Sequence, residues 1–155
     1  LNRCTEVSSI YGPIFMQATF PGIAGIYYGD EIGLSGGDEP NNREAFPWED
    51  ETSWNLEIQE YIKEIMFLKT TNEILKFGNF ELLENVNDAI IFRRSFNGKS
   101  LLCIFNRSKK QRNIKISSNA NNIDLIFGDS DIKLVENKVI ISKIEKNSGL
   151  IIKEY

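Results

Sequence analysis

The chain reads as α+β: a helix, a buried strand and a second helix in its front part, followed by an antiparallel β-sandwich. Three observations carry this. A six-residue apolar run, Ile23-Ala24-Gly25-Ile26-Tyr27-Tyr28, lies between the breaker Pro21-Gly22 and Gly29. A long amphipathic pattern occupies Ser53 to Asn72. Beyond Gly78 the apolar residues switch to short alternating runs, two of them flanking Asn97-Gly98, the strongest short-range hairpin signal.

Leu1 to Tyr11 carries weak signals, a loop or a frayed turn. Gly12-Pro13 can open a helix, because proline fits the first helical position, where its missing N–H costs nothing. Ile14 to Phe20 is apolar nearly all round, so this helix is expected to be buried on several sides. The hexad after Pro21-Gly22 is short and apolar on both faces, which predicts a fully buried parallel strand rather than a helix. Directly after it come Gly29, Asp30 and Glu31, then a loop shaped by Gly33, Gly36, Gly37 and Pro40. Charges and aromatics just past the carboxyl end of a buried strand are where α/β barrels and open α/β sheets put their ligands.

In the second helix Trp54, Ile58, Tyr61, Ile62, Ile65, Met66 and Leu68 recur at steps of three and four. Glu57, Glu60, Lys63, Glu64 and Lys69 fall between them. Thr52 or Ser53 is the expected cap, with an extra turn at Glu73-Ile74-Leu75 before Gly78. Strands are expected over Ala89–Phe96, Lys99–Asn106, Asn113–Ser117, Ile123–Phe127, Ile132–Val135, Val139–Ile144 and Leu150–Ile152. That is about seven or eight, at the spacing of a sandwich. Leu101 to Phe105 is apolar on both faces, so that strand should be central. Ile114 and Ile116 should point inward and Lys115 outward.

Composition narrows the function classes. The 155 residues carry a net charge of −4, which argues against a nucleic-acid surface, and no apolar run is long enough to span a membrane. Residues 1–52 hold nine acids and two bases, whereas the first lysine is Lys63. All four prolines and the six glycines from Gly22 to Gly37 also precede residue 50, so two differently built segments meet near the long helix. Cys4 and Cys103 lack metal-like spacing and read as separate thiols. No secretory leader is visible, and a start at Leu1 rather than methionine points to a missing natural N-terminus.

Asp30 and Glu31 are the obvious paired carboxylates. Glycoside hydrolysis needs two carboxyl groups facing each other, roughly 5–5.5 Å apart for retention or 6.5–9.5 Å for inversion. Neighbours in an extended strand point to opposite sides, so a structural role is expected: one acid accepts loop N–H groups, the other pairs with a base on a neighbouring strand. Asp38, Glu39 and Arg43 offer fixed acceptors and a planar donor fork suited to polyhydroxylated ligands. A plain loop salt bridge between Glu39 and Arg43 is the alternative. Phe46, Trp48, Trp54, Tyr27 or Tyr28 could stack on sugar faces, although aromatics in such places more often close a loop over the core. Arg93-Arg94 and the bases Arg107, Lys109, Lys110 and Arg112 read as solvated strand edges. With no histidine in the chain, neither a Ser-His or Cys-His nucleophile nor a His-ligated metal can be built. Ser35-Gly36-Gly37 leads into acids, which repel phosphate. No metal or cofactor is expected.

The segments GIAGIYYGDEIGLSGG and EPNNREAFPW resemble the last barrel strand and following loop of the α-amylase superfamily of glycoside hydrolases. The likeness is to the neopullulanase, cyclomaltodextrinase and oligo-α-glucosidase type. Ala24 stands where the family usually has proline, and Glu39 where it usually has aspartate. The resemblance implies that residues 1–78 are the C-terminal helix-strand-helix of a (β/α)8 barrel and residues 79–155 a Greek-key β-sandwich domain. It implies a parent enzyme that hydrolyses α-glucosidic bonds of maltodextrins or starch with retention. Glu39 and Arg43 would then contact a sugar ring. The family's catalytic carboxylates and histidines lie on earlier strands, and none of those motifs occurs here, so no catalytic residue is expected in the chain. The partner would be an α-glucan oligosaccharide, and an isolated piece with an unpartnered strand is expected to self-associate. The rival from another class is a non-catalytic carbohydrate-binding or interaction module.

Overall fold

A computed structural model describes residues 10–34, 45–86 and 88–155. Helix α1 spans Tyr11–Thr19, α2 Leu56–Thr71 and α3 Glu73–Phe77. Eight strands follow: β1 Asn79–Val86, β2 Ala89–Phe96, β3 Lys99–Asn106, β4 Arg112–Ser117, β5 Ile123–Phe127, β6 Asp131–Val135, β7 Lys138–Ile144 and β8 Ser148–Glu154. They form a five-stranded sheet in the order β1-β2-β3-β8-β5 and a three-stranded sheet in the order β4-β7-β6. Every strand pairing among the described residues is antiparallel.

The layering follows from alternation. Side chains of one parity on the large sheet (Phe92, Leu101, Cys103, Phe105, Ile151) pack with Ile14, Phe15, Ala18, Ile58, Ile62 and Ile65 of the helices. Those of the other parity (Ile91, Leu102, Ile104, Leu150, Ile152) pack with Ile116, Val139, Ile141 and Ile144 of the small sheet. The large sheet is thus the middle of three layers, which is why β3 is apolar on both faces. At roughly 25 cal/mol per Å² of apolar area removed from water, such burial supplies most of the favourable free energy. The phenylalanines of these strands face the helices rather than the other sheet: Phe92, Phe105 and Phe127 belong to the helix-side core. The core between the sheets is aliphatic.

Local chemistry sets the ends of the elements. Asn97 and Gly98 both take positive φ, 50° and 74°, as the tightest hairpin turn requires, and hold Phe96 opposite Lys99. Asn55 rather than Thr52 or Ser53 caps α2, its Oδ1 accepting from the Ile58 N–H at 3.1 Å. Glu51–Ser53 forms a separate 3-10 turn. Asn72 does the same for α3, at 2.9 Å from the Ile74 N–H. Helix α1 begins at Tyr11, so Pro13 sits third in its first turn, still among positions whose N–H has no intrahelical acceptor. Strand β1, which the sequence pattern did not separate, pairs with β2 along its length.

Three expectations fail on contact with the tertiary structure. Ile23–Tyr28 forms no strand, because a strand needs a ladder partner and no described strand lies beside it. Gln17 Oε1 accepts from the Gly25 N–H at 3.2 Å, and Ile26 packs on the helix-side core, while Ile23 is fully exposed. Lys69, assigned to the polar face of α2, is buried; its Nζ donates to the Phe20 and Leu75 carbonyls at 2.9 Å each. Arg94, expected on a solvated strand edge, has no exposed surface. Its guanidinium donates to the carbonyls of Thr19, Gly78 and Asn79. The paired bases further on, Lys109 and Lys110, are exposed as expected.

Candidate functional site

The acidic turn after the apolar hexad is built by two glycines. Gly29 and Gly33 adopt φ of 89° and 69°, left-handed values that side-chain-bearing residues rarely take, and they bracket the 3-10 turn Asp30–Ile32. A Cβ on Gly33 would also come within 2.8 Å of the Ile58 methyl, so the turn lies directly on α2. Ile32 is buried and its carbonyl accepts from the Asn55 N–H at 3.0 Å. The backbone closes on itself through Asp30 N–H to the Tyr27 carbonyl, 3.0 Å, and Leu34 N–H to the Gly29 carbonyl, 2.8 Å.

Asp30 and Glu31 therefore sit in a tight turn rather than an extended strand. Burial raises the Asp30 carboxyl above the usual carboxylate range, against the opposing pull of a hydrogen bond from the Tyr27 backbone. One acid accepting loop N–H groups is what the sequence implied. The base expected for the other is not found among the described residues, where Oε2 of Glu31 is buried with no hydrogen-bond partner. A buried acceptor left unpaired costs about 1–3 kcal/mol.

Around this turn the surface is aromatic. The rings of Tyr27 and Tyr28 lie 4.7 Å apart and are 63% and 44% exposed as residues. Phe46 packs against Trp48 at 4.3 Å and Trp54 at 5.5 Å, and the Trp54 indole N–H donates to the Pro47 carbonyl at 3.1 Å. Trp54 is held, whereas Trp48 remains 72% exposed. Glu39 and Arg43, the predicted sugar-contacting pair, lie outside the described residues, as does Asp38. Among the described residues no cluster of His, Cys, Asp or Glu could hold a metal ion. No described helix is long and apolar enough to cross a membrane.

No protein-family model matches the chain. It is 38% identical over 114 residues to an amylopullulanase of Thermoanaerobacterium thermosulfurigenes, a match covering 66% of this chain and 6% of that one. It is 31% identical over 140 residues to the cyclomaltodextrinase of Thermoanaerobacter pseudethanolicus, covering 90% and 24%. This chain is kin to the α-amylase superfamily. In fold it matches an α-amylase from Geobacillus thermoleovorans with a TM-score of 0.84 at 22% identity, over 96% of this chain and 33% of that chain. Its antiparallel sheets correspond to the C-terminal β domains of α-amylase-family enzymes. The chain spans between 6% and 24% of the length of these two curated relatives.

Sequence reasoning missed a second polar constellation, on the β side of this α-amylase-type chain. Glu154 accepts from Arg93 Nε at 2.8 Å and Nη2 at 3.1 Å, and from the Ser100 and Ser118 hydroxyls at 2.8 and 2.7 Å. The available signal was register: Ser100 lies opposite Glu154 across β3 and β8, which only correct strand pairing reveals.

Proposed function

We propose that the chain is the C-terminal part of an α-amylase-like glycoside hydrolase acting on α-glucosidic bonds of maltodextrins or starch. Residues 1–78 would complete a (β/α)8 barrel, and residues 79–155 form the β domain that packs against it. The observation that carries this reading is the half-made packing around the acidic turn. An apolar hexad stands with Ile23 fully exposed, Tyr27 mostly and Tyr28 partly so, next to a buried Glu31 oxygen with no hydrogen-bond partner among the described residues. Both are what a barrel-wall segment looks like beside neighbours that other residues supply.

In this reading the catalytic acid and nucleophile come from elsewhere in the longer protein, and this chain contributes no catalytic residue. Its part is to close the barrel wall and to present the loop after Leu34. There Arg43, with its planar donor fork, and Glu39, as an acceptor, would grip the hydroxyls of one sugar ring. The retaining mechanism is the one the family resemblance implies.

The test compares the pure 155-residue chain with a longer product that includes the upstream coding sequence, measuring release of reducing ends from maltodextrin. Only the longer protein should turn over. Replacing Arg43 by alanine in that protein should raise KM about tenfold, the loss expected for one charge-assisted hydrogen bond to substrate. Turnover by the 155-residue chain alone, or an inert longer protein, would refute the reading.

A further inference from the structure

Strands β2, β3 and β8 and the β4–β5 connection together form a notch of about 280 Å³; none of them contributes to the acidic turn at Gly29. Arg93, Ser100, Ser118, Asn119, Glu154 and Tyr155 are among its lining residues. The carboxylate at its base is spoken for, with four donated hydrogen bonds from Arg93, Ser100 and Ser118, and its side chain is only 4% exposed. That network fixes three side chains whose remaining capacity is only partly used, by the Ser117 carbonyl accepting from Arg93 Nη2 at 3.4 Å and the Ala120 N–H donating to Ser118 Oγ at 3.2 Å. Among the described residues, Arg93 Nη1 has an exposed Glu81 at 3.8 Å. Each serine hydroxyl that donates to Glu154 retains acceptor capacity. Asn119 is exposed, with an amide that both donates and accepts.

At the rim stands Tyr155, half exposed and held on every side that could let it swing. Its hydroxyl donates to Asp124 at 2.8 Å, and its main-chain N–H and carbonyl bond to Asn122 and Asn121 at 3.0 and 2.7 Å. Lys153 Nζ sits 4.4 Å from the ring centroid, so one face is taken by a cation. A locked ring beside fixed donors and acceptors is preorganised, which lowers the entropic cost of binding.

The charge balance selects the ligand. An anion would meet Glu154, and a metal ion would meet Arg93 and a carboxylate whose lone pairs are already engaged. A neutral, hydroxyl-rich molecule with an apolar face meets neither objection. We propose that this notch binds a ring of a neutral oligosaccharide, stacked on Tyr155 and hydrogen-bonded by Arg93, Ser100 and Asn119. It would be a second saccharide contact on the β domain. That the saccharide is an α-glucan rests on the function proposed above; that it is a saccharide rests on the notch.

Amide NMR titration of the 155-residue chain with maltotriose, cellotriose and inorganic phosphate tests this. Maltotriose should produce saturable shifts at Gly98, Asn119 and Ala120, and Tyr155→Ala should weaken them about tenfold, while Tyr155→Phe keeps the stacking face. Cellotriose moving the same amides where maltotriose does not would keep the notch as a saccharide site and remove its link to α-glucans. Saturable shifts with phosphate alone, or with no ligand, would overturn the proposal, as would an unchanged affinity in Tyr155→Ala. Should that variant lose its native spectrum, Asn119→Ala, an exposed position, serves in its place with the same expected direction.

Discussion

Strand alternation sends Arg93 and Arg94, adjacent in sequence, to opposite faces of the middle sheet. Arg94 enters the helix side and satisfies three main-chain carbonyls; Arg93 meets Glu154 on the other side. Burial pushes the Glu154 carboxyl up, but hydrogen bonds from Arg93, Ser118 and Ser100, with the guanidinium charge, outweigh it and hold the group below the usual value of 4.5. Between that lowered native value and 4.5 the unfolded chain binds more protons than the native one, so stability rises with pH there. The contribution is complete above about 4.5 and is lost as pH falls through the native value. Glu154→Gln should therefore cost about 1–3 kcal/mol at neutral pH, with the gap to the parent protein closing in acid. Urea midpoints measured across that range would show a pH-independent gap if this account is wrong. Cys103, on the Arg94 side, has its thiol pushed up to about 12, mainly by burial, so it acts as a small apolar filler.

At the level of elements, α1 is fastened to the sheet by fit and by charge. A Cβ on Gly149 would lie 2.2 Å from the Phe15 ring, so only glycine lets α1 approach β8 this closely. At its carboxyl end, Arg94 takes the Thr19 carbonyl and Lys69 the Phe20 carbonyl. The same two cations also take carbonyls at the end of α3, Gly78 and Leu75, where partial negative charge accumulates. No carboxylate is needed to balance them, because each meets main-chain dipoles. Arg94→Met keeps the volume but strands three acceptors. It should destabilise the chain by about 2–4 kcal/mol, and amide exchange should rise first in α1 and α3. Uniform loss of protection across both sheets, with α1 no more affected than β7, would contradict a local clasp.

For the whole molecule, the three-layer packing leaves apolar side chains exposed beside the acidic turn, besides single ones such as Leu56, Phe67 and Phe77 on the helices. Ile23, Tyr27 and Tyr28 stand out from the acidic turn, with Trp48 also exposed. Exposed apolar stretches of this kind seek partners. The 155-residue chain is expected to self-associate as concentration rises, and Ile23→Lys together with Tyr27→Lys should shift it toward monomer. Sedimentation velocity over a wide concentration range decides this. A compact monomer throughout would mean that the exposed hexad drives no association.

Sequence alone determined what local forces determine. Period-3.6 spacing announced α2, and Asn97-Gly98 announced the β2–β3 hairpin. Double-sided apolarity announced β3 as a central strand, and the phrase from Gly22 to Gly37 pointed to the family before any coordinates. Tertiary structure alone decided where Lys69 and Arg94 go. A lone cation on a helix or strand looks solvated until packing brings orphan carbonyls within reach. It alone decided that the aromatic core faces the helices, since pattern shows that a strand is buried on both sides but not against what. It also decided that Ile23–Tyr28 is no strand here, because hydrogen-bond ladders belong to pairs of segments, and propensity in one cannot create the other.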